Sequence, residues 1–159
     1  MRDRIAGGSR VVLPAPSPQP LAPVFRSYYC MAKQMRLTCY GRSKSKPEWE
    51  AILSGFTFDI FFAELAQELE RFGITLELGE DPGQVIEVNG YGDLLNSIRI
   101  ASPSDGISNI CIGHVIGQSP RLDLQEDIRR AVNRIAFAPE TVAPDDENRK
   151  VCHNCGCGC

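Results

Sequence analysis

The sequence predicts a two-layer α+β domain with a mainly antiparallel sheet and two principal amphipathic helices, and three observations predict it. Phe58, Phe61, Phe62, Leu65, Leu69 and Phe72 recur at three- and four-residue intervals, the spacing of one apolar helix face. Leu124, Ile128, Ala131, Val132 and Ile135 form a second such stripe. Between the two, Ile74-Thr75-Leu76-Glu77-Leu78 alternates with period two and reads as a half-buried strand. At 159 residues the chain is long enough for one domain with its own core. Helices packed on one side of a sheet bury all three apolar faces at once.

Taken in order, residues 1–34 are expected to be a flexible arm, because Pro14, Pro16, Pro18, Pro20 and Pro23 sit among small residues with little apolar mass. The globular domain is expected over 35–138. Met35 to Tyr40 has the β-branched and aromatic content of a short strand. Pro47 suits the first turn of a short helix running to Leu53, since its missing amide would have no helical partner there, and Ser54-Gly55 breaks that helix. Thr57 is placed to cap the main helix, and Gly73 to release it in the left-handed conformation.

Downstream of Ile74 to Leu78, Asp81-Pro82-Gly83 has turn composition, with Gln84 to Val88 returning as a strand. Asn89-Gly90 invites another tight turn. Leu94 to Ile100 and Ile107 to Ile116 then read as two more strands. Asp123 and Glu126 have the spacing of a capping box, so the last helix starts there and finishes by Ala138-Pro139. Glu140, Asp145, Asp146 and Glu147 make 139–150 an expected acidic, flexible linker, leaving 151–159 as a Cys-rich tail.

The apolar fraction of 43% and charged fraction of 23% are those of a globular protein. No run approaches the roughly twenty apolar residues that cross a bilayer. Val11-Val12-Leu13 runs into prolines and does not make a signal-peptide core, so a cytoplasmic location is expected. Residues 1–46 carry nine Lys/Arg and one acid, whereas 47–159 carry eight Lys/Arg and nineteen acids. The basic half holds no compact nucleic-acid motif, and nucleic acid is not an expected partner.

Several candidate sites have simpler structural readings. Asp59 and Glu64 are five apart on a helix, about 140° around its axis, and form no neighbouring carboxylate pair. Asn89-Gly90-Tyr91-Gly92-Asp93 lacks the spacing of a phosphate loop and is read as turn geometry. Cys111 and His114, three apart on an expected strand, would point to opposite faces, Cys111 into the core. Arg129, Arg130 and Arg134 read as a solvated strip on the last helix.

The chemistry concentrates in Cys152-His153-Asn154-Cys155-Gly156-Cys157-Gly158-Cys159, which holds four of the seven cysteines. An odd cysteine count without an export signal argues for reduced thiols. The neighbours are polar residues and glycines, so the segment has no apolar mass in which to bury its sulfurs. Gly156 and Gly158 let the backbone curl until thiolates converge, and a thiophilic cation offsets the resulting repulsion. Cys152, His153, Cys155, Cys157 and Cys159 are therefore the candidate metal ligands. Zn(II) would take four sulfurs, or three with His153; Cu(I) would need two or three thiolates; an iron–sulfur cluster would draw cysteines from several subunits.

Val151-Cys152-His153-Asn154-Cys155-Gly156-Cys157 also resembles the metal claw of nitrile hydratase α subunits, Val-Cys-x-x-Cys-Ser-Cys. That resemblance implies Cys152, Cys155 and Cys157 as sulfur ligands of non-haem Fe(III) or Co(III), with the amides of Gly156 and Cys157 as nitrogen ligands. Gly156 stands where that family has serine, Cys159 is additional, and the likeness covers seven residues.

The expected function is a soft-metal-binding adaptor or metallochaperone that presents a tethered thiolate site to a protein partner or metal-receiving apoprotein, with homo-oligomerisation as one way to complete a cluster. Three alternatives stand beside it: a thiol–disulfide adaptor using Cys152 and Cys155, a carrier whose Cys-rich tail is post-translationally modified, and a metal-dependent enzyme subunit with the nitrile-hydratase-like claw. No acid/base set for catalysis is visible in the sequence.

Overall fold

A computed structural model describes residues 32–142. Four strands form a single mixed, mainly antiparallel sheet: β1 (Lys33–Ser43), β2 (Ile74–Glu87), β3 (Ile98–Ser102) and β4 (Ile107–Cys111). Their order across the sheet is β2-β1-β3-β4. β1 runs parallel to β2 and antiparallel to β3, which in turn pairs antiparallel with β4. Five helices accompany the sheet: α1 (Pro47–Ser54), α2 (Phe56–Glu70), α3 (Tyr91–Asn96), α4 (Ile112–Ile116) and α5 (Leu124–Phe137). Short 3-10 turns occupy Pro103–Asp105 and Pro139–Thr141. The result is an α+β domain. No helix of the described residues is long and apolar enough to cross a membrane.

The period-two and period-3.6 patterns meet in one core. Met35 and Leu37 of β1, Ile74 and Leu76 of β2, and Ile98 and Ile100 of β3 are buried together with Phe58, Phe61, Leu65 and Leu69 of α2. Leu124, Ile128, Ala131, Val132 and Ile135 of α5 belong to the same cluster. Each buried Leu or Ile contributes roughly 1.5–3 kcal/mol by leaving water.

Gly55 both closes α1 and opens α2. A Cβ there would lie 2.9 Å from the Ala51 carbonyl oxygen, closer than real contacts allow, so the break between the two helices depends on glycine. Gly73 follows α2 at φ +72, the left-handed geometry expected of the releasing residue. At α5, the Asp123 carboxylate accepts the Glu126 amide at 3.1 Å, capping the helix as its spacing predicts.

Other expectations are corrected. Thr57 lies inside α2, whose N-cap is Gly55 without a side-chain cap bond. Phe72 falls beyond α2, is 68% exposed, and packs edge-on against Phe137 at 5.1 Å. Residues 74–88 do not form a hairpin, because β2 continues as one strand through Glu87. The Gly83 amide does donate to the Asp81 side chain at 3.1 Å, so the turn chemistry is real. It is absorbed as a bulge: the register steps from Tyr40↔Asp81 to Gly41↔Val85, leaving residues 82–84 unpaired with β1.

The Asn89-Gly90 segment starts a helix instead of a tight hairpin. Asp93 Oδ2 accepts the amides of Asn89 and Gly90 at 2.9 and 3.1 Å, fixing the first turn of α3. The strand expected over 94–100 is consequently split into α3 and β3, and that expected over 107–116 into β4 and α4.

Candidate functional site

Cys152, His153, Cys155, Cys157 and Cys159 lie outside the described residues, as do the arm residues 1–31 and the linker residues 143–150. Pro139–Thr141 and Val142 are described. Arg134 donates to the Thr141 hydroxyl at 3.0 Å and the Thr141 carbonyl at 2.7 Å, while Val142 packs against the core. The last described residues are therefore anchored beside the C-terminal end of α5.

Cys39 and Cys111 are the cysteines among the described residues, and both are free thiols. Cys39 is half-buried on β1, and burial pushes its thiol up to about 11, with the nearby Arg42 charge opposing the rise. Cys111 is fully buried at the junction of β4 and α4. Its Sγ accepts the backbone amide of His114 at 3.2 Å, which makes it the cap of α4. The helix places these two residues in contact through the His114 backbone, where strand alternation predicts that they diverge. Among the described residues, no group of three His, Cys, Asp or Glu side chains is placed to hold a metal ion.

Asp59 and Glu64 are both exposed on α2. The arginines of α5 are engaged within the domain. Arg129 meets Glu68 at 2.6 Å, Arg130 meets Asp127 at 3.3 Å, and Arg134 donates to the Val115 carbonyl at 2.6 Å. Arg129 ties α5 to α2 and Arg134 ties it to α4, Arg130 bonds within α5, and Arg130 and Arg134 remain exposed, as expected of a solvated strip.

Two polar clusters escaped sequence reasoning. On the opposite side of β3 from Ile98 and Ile100, Arg99 is 1% exposed and donates to the Asn96 carbonyl at 3.0 Å and its side chain at 2.6 Å. The guanidinium also stands 5.6 Å from the centre of the Tyr40 ring, and Asn109 donates to the Tyr40 hydroxyl at 2.8 Å. Arg99, Tyr40 and Asn109 border a recess of about 470 Å³ that Arg36, Glu80 and Asp81 also reach. The signal available in the sequence is a single arginine inside the apolar run Ile98–Ile100.

The second cluster joins Tyr91 of α3 to Asp127 of α5, hydroxyl to carboxylate, at 2.7 Å. Burial, reinforced by the Asp127 carboxylate, pushes the Tyr91 hydroxyl well above its ordinary range. Both clusters bind one element to another.

A larger recess, about 570 Å³, lies between α2 and the outer side of β2, with Ile60, Glu64, Gln67, Glu70, Ile74 and Leu76 among its walls. Compared with known proteins, the chain matches no family model, no curated sequence and no solved structure.

Proposed function

We propose that this protein carries a soft transition metal, Cu(I) or Zn(II), on its C-terminal thiolate segment and presents it to a metal-receiving protein. The observation that carries the reading is the spacing C-x-x-C-x-C-x-C with His153 beside the first cysteine. Four sulfurs within eight residues, separated by glycines, have a stronger reason to share a cation than to pack.

The folded domain supports this division of labour. A thiol needs to ionise before it binds a metal, and burial of Cys39 opposes that. Among the sequence neighbours of the tail cysteines, Val151 alone is a large apolar residue, and the others are polar or glycine. In this reading the domain is the carrier, and its last described residues, Thr141 and Val142, are anchored to it.

The test is native mass spectrometry and elemental analysis of anaerobically purified protein, beside a variant lacking residues 152–159. A stoichiometric metal that disappears with the deletion is the expected result. Its identity and the number of chains per metal distinguish Cu(I), Zn(II) and a shared iron–sulfur cluster. Metal-free protein with a reduced, unmodified tail would overturn the proposal. A covalent mass on the tail would assign it to a modified carrier, and a reproducible Cys152–Cys155 disulfide to thiol exchange. Turnover of a nitrile by metal-loaded protein would assign it to the claw chemistry.

A further inference from the structure

We propose that the outer edge of β2, with the adjoining face of α2, is a docking site for an extended, basic peptide segment of a partner protein. This inference rests on the folded domain and is independent of metal binding by the tail.

Among the described residues β2 is the last strand of the sheet, paired only with β1. Alternate amides and carbonyls along its outer side have no backbone partner among the described residues. Such an edge is a template for another strand, and its use by an incoming peptide supplies main-chain hydrogen bonds without regard to sequence. The opposite edge is less suitable: β4 has five residues and turns directly into α4.

Beside the first part of β2 lies the recess of about 570 Å³, where side chains of an added strand would be received. Its apolar surface comes from Ile60, 45% exposed, with Ala63, Ile74 and Leu76. Its charged walls are Glu64 and Glu70, both exposed and without an ion pair among the described residues. On the other face of the strand, Glu77 has only a 3.5 Å contact with the exposed Arg36. Eight residues, 74–81, run straight in register with β1 before the bulge, enough to seat about 26 Å of extended chain.

The charge selects the occupant. A segment alternating Lys or Arg with β-branched residues turns every second side chain, the cationic set, into the recess, where the charged heads meet Glu64 and Glu70 and the methylene stems cover Ile60 and Ala63, while the β-branched set lies on the other face beside Thr75 and Glu77. An acidic segment is repelled. A second copy pairing edge to edge would offer residues 74–81, a segment with no Lys or Arg to meet Glu64 and Glu70.

The test selects a displayed library of random nine-residue peptides on the full-length protein and compares it with a Glu64→Lys/Glu70→Lys variant. Both positions are exposed, so the variant retains the fold, which circular dichroism checks. Expected are peptides alternating Lys or Arg with Val, Ile or Thr. Synthetic versions should protect the amides of Thr75 to Leu78 from hydrogen exchange. Their affinity should fall at least tenfold on the double variant, and as much when alternate peptide amides are N-methylated, a change that leaves charge untouched. The proposal is overturned by failure to enrich any sequence over the variant, by acidic consensus peptides, by protection confined to other elements, or by indifference to N-methylation. Sedimentation showing a dimer that dissociates when Thr75 is replaced by proline would assign the edge to a second copy and overturn it as well.

Discussion

The Lys33 ammonium donates to the Ile135 carbonyl at 2.7 Å, joining the first residue of β1 to the last turn of α5. It also reaches the Ala136 carbonyl at 3.0 Å and the Asp105 carboxylate at 2.6 Å. A cation at the C-terminal end of a helix satisfies carbonyls that have no helical donor and complements the helix dipole. Lys33→Met keeps most of the side-chain volume and removes every one of these bonds. It should cost about 1–3 kcal/mol, read as a lower urea midpoint with unchanged slope. An unchanged midpoint would show that water replaces the ammonium without loss.

The Tyr91–Asp127 bond makes a second prediction, in alkali. Because the folded hydroxyl has its pKa raised, its contribution to stability is complete below the ordinary value of 10.0 and is lost as pH rises through the higher folded value. Wild type should therefore lose stability above about pH 10 more steeply than Tyr91→Phe. At neutral pH Tyr91→Phe should itself be weaker by about 1–3 kcal/mol, since Asp127 is only 2% exposed and loses a donor. Denaturant melts of both proteins across pH 8–11 provide the comparison; parallel pH dependences would refute the linkage.

These long-range ties explain what a linear reading of the chain reaches and what it misses. The stripe from Phe58 to Leu69 and the Asp123 cap are local patterns whose partners lie within a turn or two, and both form as their spacing predicts. Asp81-Pro82-Gly83 has equally sound turn chemistry, but the eleven-residue β1 offers a partner on both sides of it, and β2 continues past the bulge to use that partner. Leu94 and Leu95 are both buried in a six-residue helix, too short to display a helical period. Lys33 belongs to a segment whose composition predicts a flexible arm, and its acceptors lie about a hundred residues away. The candidate ligands of the tail were legible as chemistry alone, from sulfur count and glycine spacing.

Arg42 and Glu50 give a prediction at the acid end. Their two parallel bonds, 2.8 and 3.0 Å, clamp β1 to α1, and the hydrogen bond from Arg42 is the main reason the Glu50 carboxyl is held below its usual range. A lowered folded pKa gives stability that is present above the unfolded value of about 4.5 and lost as pH falls through the folded one. The difference between wild type and Arg42→Ala should thus be constant near neutrality and shrink below about pH 4.5. With 39% of the Glu50 side chain exposed, solvent keeps the ion-pair part below about 1 kcal/mol. A difference that persists unchanged to pH 3 would assign the effect of Arg42 to packing.

Cys39 supplies the sharpest contrast with the tail. A thiol shifted from 9.0 to about 11 exposes roughly a hundredfold less thiolate at pH 8, and alkylation proceeds through the thiolate. In native protein, iodoacetamide should therefore modify Cys152, Cys155, Cys157 and Cys159 well before Cys39, with Cys111 also slow because it is fully buried. Guanidinium should abolish the difference by exposing every thiol. Loading with Cu(I) or Zn(II) before alkylation should slow the four tail cysteines and leave the rate at Cys39 unchanged, because the proposed metal site does not include it. Peptide mapping by mass spectrometry reads each position separately. Fast labelling of Cys39 in the native state would remove the division between structural and metal-binding thiols on which the proposed function depends.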